Sequence, residues 1–182
     1  MDNQNENEQS EVIEGELKWE EDFNEKVIKE FEKSGKIDWK KYQYTRNRFS
    51  PSGDALNLKE TRLLFISTAG TYIKDSQDPF DAKNVLGDYS LRRIPDGTSF
   101  DDLAISHDHY DHQYIKADPE VLLPFGHLND MVSEGELGGI ASEWISISGY
   151  QPNIVKVKRV LSAKIIKVAK ELDVQAALLV PA

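Results

Sequence analysis

The sequence predicts an α/β fold: an open, mostly parallel, three-layer sheet of Rossmann-like type, carried behind an acidic N-terminal tail and helix. Three observations point there. The runs Leu63-Leu64-Phe65-Ile66 and Ala176-Ala177-Leu178-Leu179-Val180 lack the alternation of a half-wet sheet, so they read as strands covered on both faces. Between them Ile154, Val157, Leu161, Ile165, Val168 and Leu172 recur every three or four residues, the apolar face of a helix that packs on such a sheet. A hydrophobic share of 39% and a charged share of 30% suit a globular chain with one real core.

Residues 1–18 hold many acids and amides and few large apolar groups, which predicts a disordered tail. A helix with its stripe at Phe23, Val27, Ile28 and Phe31 follows and stops at Gly35, and Trp39, Tyr42, Tyr44 and Phe49 continue it as an arm, so that residues 19–60 form one N-terminal unit. The α/β domain spans 61–182. Its first strand starts at Arg62, and a loop rich in Thr, Gly, Asp and Pro covers 68–81. Residues 87–95 read as strand or extended chain, and Leu103–Ser106 as a further buried strand. A helix spans Phe125 to Glu134 with Gly135 as its stop, and Ile140 to Ile147 is strand-like. Pro152 stands near the first turn of the last helix, where its missing N–H costs nothing.

Charge excludes some functions. Of the net charge of −10, residues 1–34 carry −8 (12 acids, 4 lysines), leaving 20 acids and 18 bases in the remainder. Neither part offers the basic face that phosphate backbones require, so nucleic acid is not an expected partner. No apolar run approaches the roughly 20 residues of a membrane span, and the acidic start is unlike a signal peptide, so a cytoplasmic address is expected. The chain has no cysteine, hence no disulfide, thiolate metal site or thiol nucleophile.

The densest chemistry lies in Ser106-His107-Asp108-His109-Tyr110-Asp111-His112. His107, His109, Asp111 and His112 match the first metal motif of metallo-β-lactamase-type hydrolases, where imidazoles and a carboxylate bind zinc and generate hydroxide. Further ligands normally come from well downstream, and only His127 follows, so a polar loop of hydrogen-bonded histidines is the competing reading. Arg92 suits a bidentate clamp on a substrate carboxylate, or else an ion pair with Asp88 or Asp96. Thr68-Ala69-Gly70 after the first strand offers backbone N–H groups to an anion, or is a plain turn. The bases Lys156, Lys158, Arg159, Lys164, Lys167 and Lys170 read as a solvated helix face.

Several ordered segments resemble one family. They are Ser67-Thr68-Ala69-Gly70 with Tyr72-Ile73-Lys74, Gln77-Asp78-Pro79-Phe80-Asp81, and Gly87-Asp88-Tyr89-Ser90-Leu91-Arg92-Arg93-Ile94-Pro95. Ile105-Ser106-His107, Tyr110-Asp111, Leu123-Pro124-Phe125 with Leu128, and Ala176-Ala177-Leu178-Leu179-Val180-Pro181 complete the set. From about residue 61 to 182 the chain resembles selenoprotein B of the glycine/sarcosine/betaine/D-proline reductases. The resemblance implies reductive cleavage of a C–N bond in an amino acid or N-methylated amine. A pyruvoyl-bearing partner subunit holds the amine there, a selenol attacks the activated carbon, and a selenoprotein or thiol partner completes the redox cycle. It implies a selenocysteine or cysteine, in a Sec/Cys-x-x-Cys motif, immediately after Ala182, with no other cofactor in this chain. It places His107, Tyr110 and Asp111 as walls of that site, and Thr68, Gly70, Asp88 and Arg92 are the expected substrate-binding residues. This chain alone lacks the nucleophile. A metal hydrolase on the histidine cluster and a non-catalytic binding domain are the alternatives. The run 176–180 is expected as a central strand whose following helix is missing, the mark of an incomplete domain that self-associates.

Overall fold

Leu64, Phe65 and Ile145 are fully buried, and their burial marks the centre of the main sheet. The structure, a computed structural model, describes residues 12–48 and 53–182. They fall into two compact units, divided between Asp54 and Ala55.

In the first unit a continuous helix runs as α1 (Glu16–Phe23), a π-helical turn (Asn24–Ile28) and α2 (Lys29–Ser34). Gly35 ends it in the left-handed region (φ 66°), its N–H on Phe31 O at 2.8 Å. Trp19, Phe23 and Val27 are buried; Trp19 stacks on Phe23, and its indole N–H donates to Gln43 O at 2.7 Å. The expected tail needs correction from residue 12 onward. Ile13 bridges Asn47, and Glu14 N–H donates to Arg46 O, because the arm returns alongside and supplies the backbone partners that composition does not reveal. Residues 1–11 and 49–52 lie outside the described residues.

In the second unit β1 (Arg62–Ser67) is the central strand. On one side it pairs in parallel with β5 (Gly139–Ile140) and β6 (Glu143–Ile147), and on the other with β7 (Ala176–Val180). The strand expected at 140–147 is thus broken at Ala141-Ser142. β3 (Leu91–Pro95) pairs antiparallel with β6 at the far side. The sheet is mostly parallel, as expected. One face, with Leu63, Phe65, Ile94 and Trp144, packs on Ile115 of α3 (Gln113–Ala117) and Leu128 of α4 (Phe125–Ser133). The other, with Leu64, Ile66, Ala141, Ile145 and Ile147, packs on Leu161 and Val168 of the C-terminal helix.

Three expectations change. The predicted loop 68–81 contains β2 (Thr71–Ile73), which pairs antiparallel with β4 (Leu103–Ile105), so β4 belongs to a separate two-stranded ribbon. The C-terminal helix runs as α5 (Ile154–Lys156), a π-helical turn (Val157–Leu161) and α6 (Ser162–Glu171). At the start of this helix Val155, not Ile154, is the buried residue, and past the wide turn Leu161 and Val168 pack on the sheet. Asn153 caps this helix, accepting Lys156 N–H at 2.9 Å, and Pro152 precedes the cap. Finally β7 is an edge strand, not a central one. Its register puts Leu178 beside Phe65 and Leu179 beside Ile66, yet they are 36% and 57% exposed, because among the described residues nothing pairs beyond β7.

Candidate active site

Three parallel strands, β1, β6 and β7, end side by side, and in open α/β sheets ligands bind beyond such ends. Thr68-Ala69-Gly70 leaves β1, Ser148-Gly149-Tyr150 leaves β6, and Pro181-Ala182 leaves β7. Hydrogen bonds join the three exits. Thr68 N–H donates to Val180 O (3.1 Å), Gly70 N–H to Ile147 O (3.0 Å), and Ala182 N–H to Thr68 Oγ1 (2.8 Å).

The β2–β4 ribbon brings the histidine segment to this place. Gly70 has φ +69°, and a β-carbon there would stand 2.6 Å from Ser106 O, so only glycine permits Ser106 N–H to reach Gly70 O at 2.9 Å. That approach seats His107, which is 4% exposed, against the β1 loop. His107 Nδ1 accepts His109 N–H at 3.1 Å. Burial, with smaller contributions from His109 and His112, pushes the His107 pKa below its ordinary value. The neutral ring thus carries its proton on Nε2, and this buried atom has no hydrogen-bond partner. Tyr110 OH donates to Ala69 O at 3.0 Å, and burial pushes its pKa up to about 12, so it remains a neutral tie between the loops. His109 lies flat on Tyr150, with centroids 4.1 Å apart.

Of the residues singled out in the sequence, His107, Tyr110, Thr68 and Gly70 converge here. Asp111 does not: its carboxylate accepts the backbone N–H and side-chain amide of Gln113, at the start of α3. Asp88 and Arg92 shape a neighbouring loop. Arg92 donates to Asp78 O, Pro79 O, Leu91 O and Ser90 Oγ and lies over the Phe80 ring, which leaves little of its fork for a carboxylate. Burial works to raise the Asp88 carboxyl, but the Ser90 hydroxyl, the N–H groups of Asp81 and Ser90 and the Arg92 charge outweigh it and hold its pKa down. Phe80 O in turn accepts Ser106 Oγ–H at 2.6 Å, linking this loop to the ribbon. Gly149 and Tyr150 were not among the expected site residues. The signal available was a Ser-Gly-Tyr exit from a buried strand.

Among the described residues no group of three or more His, Asp or Glu is placed to hold a metal ion. Of the motif's donors, His107 Nδ1 accepts His109 N–H, the His109 ring stacks on Tyr150 and the Asp111 carboxylate accepts from Gln113, while His107 Nε2 and His112 Nε2 are buried without a hydrogen-bond partner. Nor does any helix among the described residues have the length and apolarity to cross a membrane.

The sequence model of the glycine/sarcosine/betaine reductase selenoprotein B family matches residues 40–182. The chain belongs to this family. It is 27% identical over 122 residues to the D-proline reductase subunit gamma of Acetoanaerobium sticklandii, covering 67% of this chain and 49% of that one. It is 22% identical over 114 residues to the sarcosine reductase complex component B subunit beta of Peptoclostridium acidaminophilum, covering 62% of this chain and 26% of that one. The matched stretch therefore spans about half the length of the first relative and about a quarter of the second. No solved structure matches the chain. Both relatives are named as subunits of reductases, and the selenoprotein B match covers every residue of the site just described.

The buried neutral His107 makes stability depend on pH. Its folded pKa lies below the unfolded value near 6.5, so the unfolded chain binds the proton first. Its contribution is complete above pH 6.5 and is lost as pH falls from there through the folded pKa. The Asp88 carboxyl, also depressed, loses its contribution only below its ordinary 3.8. His107→Asn keeps an acceptor for His109 N–H and does not titrate. Urea unfolding at pH 7 and pH 5 should show a smaller fall for His107→Asn than for the parent; equal falls would count against a buried neutral imidazole.

Proposed function

We propose that this chain forms the redox side of a reductase that cleaves the C–N bond of a small amino acid or N-methylated amine. The observation that carries the reading is where β7 leads. Ala182 N–H rests on Thr68 Oγ1, and Thr68 N–H on Val180 O, so the backbone leaving β7 is drawn onto the loop that faces His107. The family match supports the reaction class. The nucleophile, a selenocysteine or cysteine of a Sec/Cys-x-x-Cys motif, is proposed to follow Ala182 directly. Its electron pair displaces the amine: a carbon–chalcogen bond forms as the C–N bond breaks, and the bonding pair leaves on nitrogen.

The residues of this chain position and enclose that event. Thr68 fixes the exit of β7, and Tyr110 ties the 107–112 segment to Ala69. The Arg92–Phe80–Ser106 chain of contacts holds the neighbouring wall. The substrate amine is proposed to arrive on a pyruvoyl-bearing partner subunit, and a dithiol or selenoprotein partner to restore the reduced site, all in the cytoplasm. The test combines the full-length protein, its partner subunits and a dithiol with glycine, sarcosine, betaine and D-proline. Amine release or ring opening with at least one substrate, abolished by replacing the nucleophile with serine, is expected. An assembled complex that turns over none of the four would refute the reading.

A further inference from the structure

The outward face of the C-terminal helix carries a charge opposite to its surroundings. From Ile154 to Lys170 the chain holds six bases and no acid, whereas the rest of the second unit sets 18 acids against 7 bases. All six, Lys156, Lys158, Arg159, Lys164, Lys167 and Lys170, are exposed. The first acid beyond them, Glu171, is itself paired with Arg93 at 2.6 Å, so it does little to offset them. The same face carries apolar groups. Val160, Ala163 and Ile166 follow at steps of three and form one row on the helix surface. Val160 is 41% and Ile166 52% exposed, while Leu161 and Val168 fill the side that packs on the sheet. Lys164, Lys167 and Lys170 stand four residues beyond Val160, Ala163 and Ile166 in turn, so a row of ammonium groups runs beside the apolar row. The face begins close to the strand exits. Tyr89 OH accepts Asn153 N–H at 2.7 Å, three residues past Tyr150, and Lys156 Nζ stands 5.5 Å from the centre of the Tyr89 ring.

We propose that this basic and apolar face docks an acidic amphipathic helix of a partner subunit. Isolated exposed ion pairs contribute little, so the row Val160–Ala163–Ile166 supplies the contact and the bases steer and orient what makes it. Charge selects the occupant. An extended polyanion, whether nucleic acid or an anionic bilayer, would also lie against the acidic remainder of the unit, whereas a single helix touches the basic face alone. The bilayer is disfavoured a second time. The large apolar side of the C-terminal helix is committed to the sheet, and its outward row holds no aromatic group to insert among lipids. The proposal goes beyond the reaction proposed above and does not depend on it, because it concerns the helix layer and not the strand ends.

The test starts from the protein isolated from its source with whatever subunits accompany it. A carbodiimide joins an amine to a carboxylate only where the two touch, and mass spectrometry of the digest locates the links. Amide links from Lys164, Lys167 or Lys170 to acids of another subunit, spaced three or four residues apart, are expected. The full chain with Lys164→Glu and Lys167→Glu should bind that subunit about tenfold more weakly than the parent at about 50 mM salt, and about equally at 0.5 M. Ile166→Ser should bind more weakly at both, since salt does not screen an apolar contact. Links only to acids of this same polypeptide, in one copy or between two, overturn the proposal, as does an isolate in which no other subunit accompanies the chain. Binding to phosphatidylglycerol vesicles that the double variant abolishes, with subunit binding unchanged, overturns it in favour of a lipid surface. If the double variant fails to fold, the links on the unsubstituted protein decide. A complex that gives the expected links but turns over no substrate refutes the reaction and leaves this surface standing.

Discussion

Gly70→Ala should lower the thermal midpoint by about 10 °C, more than any other single glycine-to-alanine change between the strands. Gly70 sits at φ +69°, where an alanine costs about 1–2 kcal/mol in backbone strain alone. Its new β-carbon would also stand 2.6 Å from Ser106 O and 3.1 Å from His107 Cβ, and a backbone oxygen cannot swing aside as a flexible side chain does. Relief means moving the β2–β4 ribbon off the main sheet, at the expense of the bonds Gly70 N–H to Ile147 O and Ser106 N–H to Gly70 O. Together these reach about 3 kcal/mol, and each kcal/mol shifts the midpoint by about 2–4 °C in a chain of this size. Gly97→Ala is the control. Gly97 has φ +77°, but a β-carbon there meets nothing within 4 Å, so only the strain applies and the midpoint should fall by just a few degrees. Equal losses in the two variants would show that the ribbon does not depend on close approach at Gly70.

The 182-residue chain should self-associate through β7. Leu178 faces one side of the sheet and Leu179 the other, at 36% and 57% exposed, and among the described residues the outer edge of the strand pairs with nothing. An apolar, uncharged edge strand is a template for another strand, and covering a leucine is worth about 1.5–3 kcal/mol. Light scattering at micromolar concentration should report oligomers for the parent. Leu179→Lys, which places a charge on that edge without touching the buried cores, should give monomer. A longer chain that continues the family's matched region should be monodisperse and melt higher than the 182-residue chain. A parent that is already monomeric and sharply melting would mean that the exposed edge is tolerated as it stands.

The parts of the fold that could be read from sequence are those whose signal is local. The unbroken run Leu63–Ile66 specifies a buried strand wherever it pairs, and Gly35 and Gly135 stop their helices at φ 66° and 72° by conformation alone. What sequence concealed depends on remote partners. Thr71-Tyr72-Ile73 is too short and too polar in its surroundings to declare itself, and it becomes β2 only because Leu103–Ile105 lies against it. The apolarity of β7 says that it should be covered, but not on which side of β1 it lies. The π-helical turn at Val157–Leu161 and the burial of Val155 in place of Ile154 are departures that no regular 3.6-residue period contains.

The site divides along the same line. His107 and Tyr110, singled out as a histidine and tyrosine cluster after a short apolar strand, lie against the loop that leaves β1. Asp111 looked equivalent, but its carboxylate accepts from Gln113 two residues on, a local bond that sequence spacing does not announce. Arg92 looked like a substrate clamp and instead staples carbonyls of its own loop. Gly149 could be placed only once β1 and β6 were known to end together, because its significance lies in the atoms of His107 and Thr68 beside it.

The central claim is that the carboxyl end of β7 delivers a reactive chalcogen to the loop of Thr68 and His107. The most direct measurement is mass spectrometry of the protein isolated anaerobically from its source and treated with an alkylating agent. The account predicts a polypeptide that extends beyond Ala182 and carries the label on a selenocysteine or cysteine in the next position. A protein whose peptide ends at Ala182, or whose following residue is neither selenocysteine nor cysteine, would contradict it.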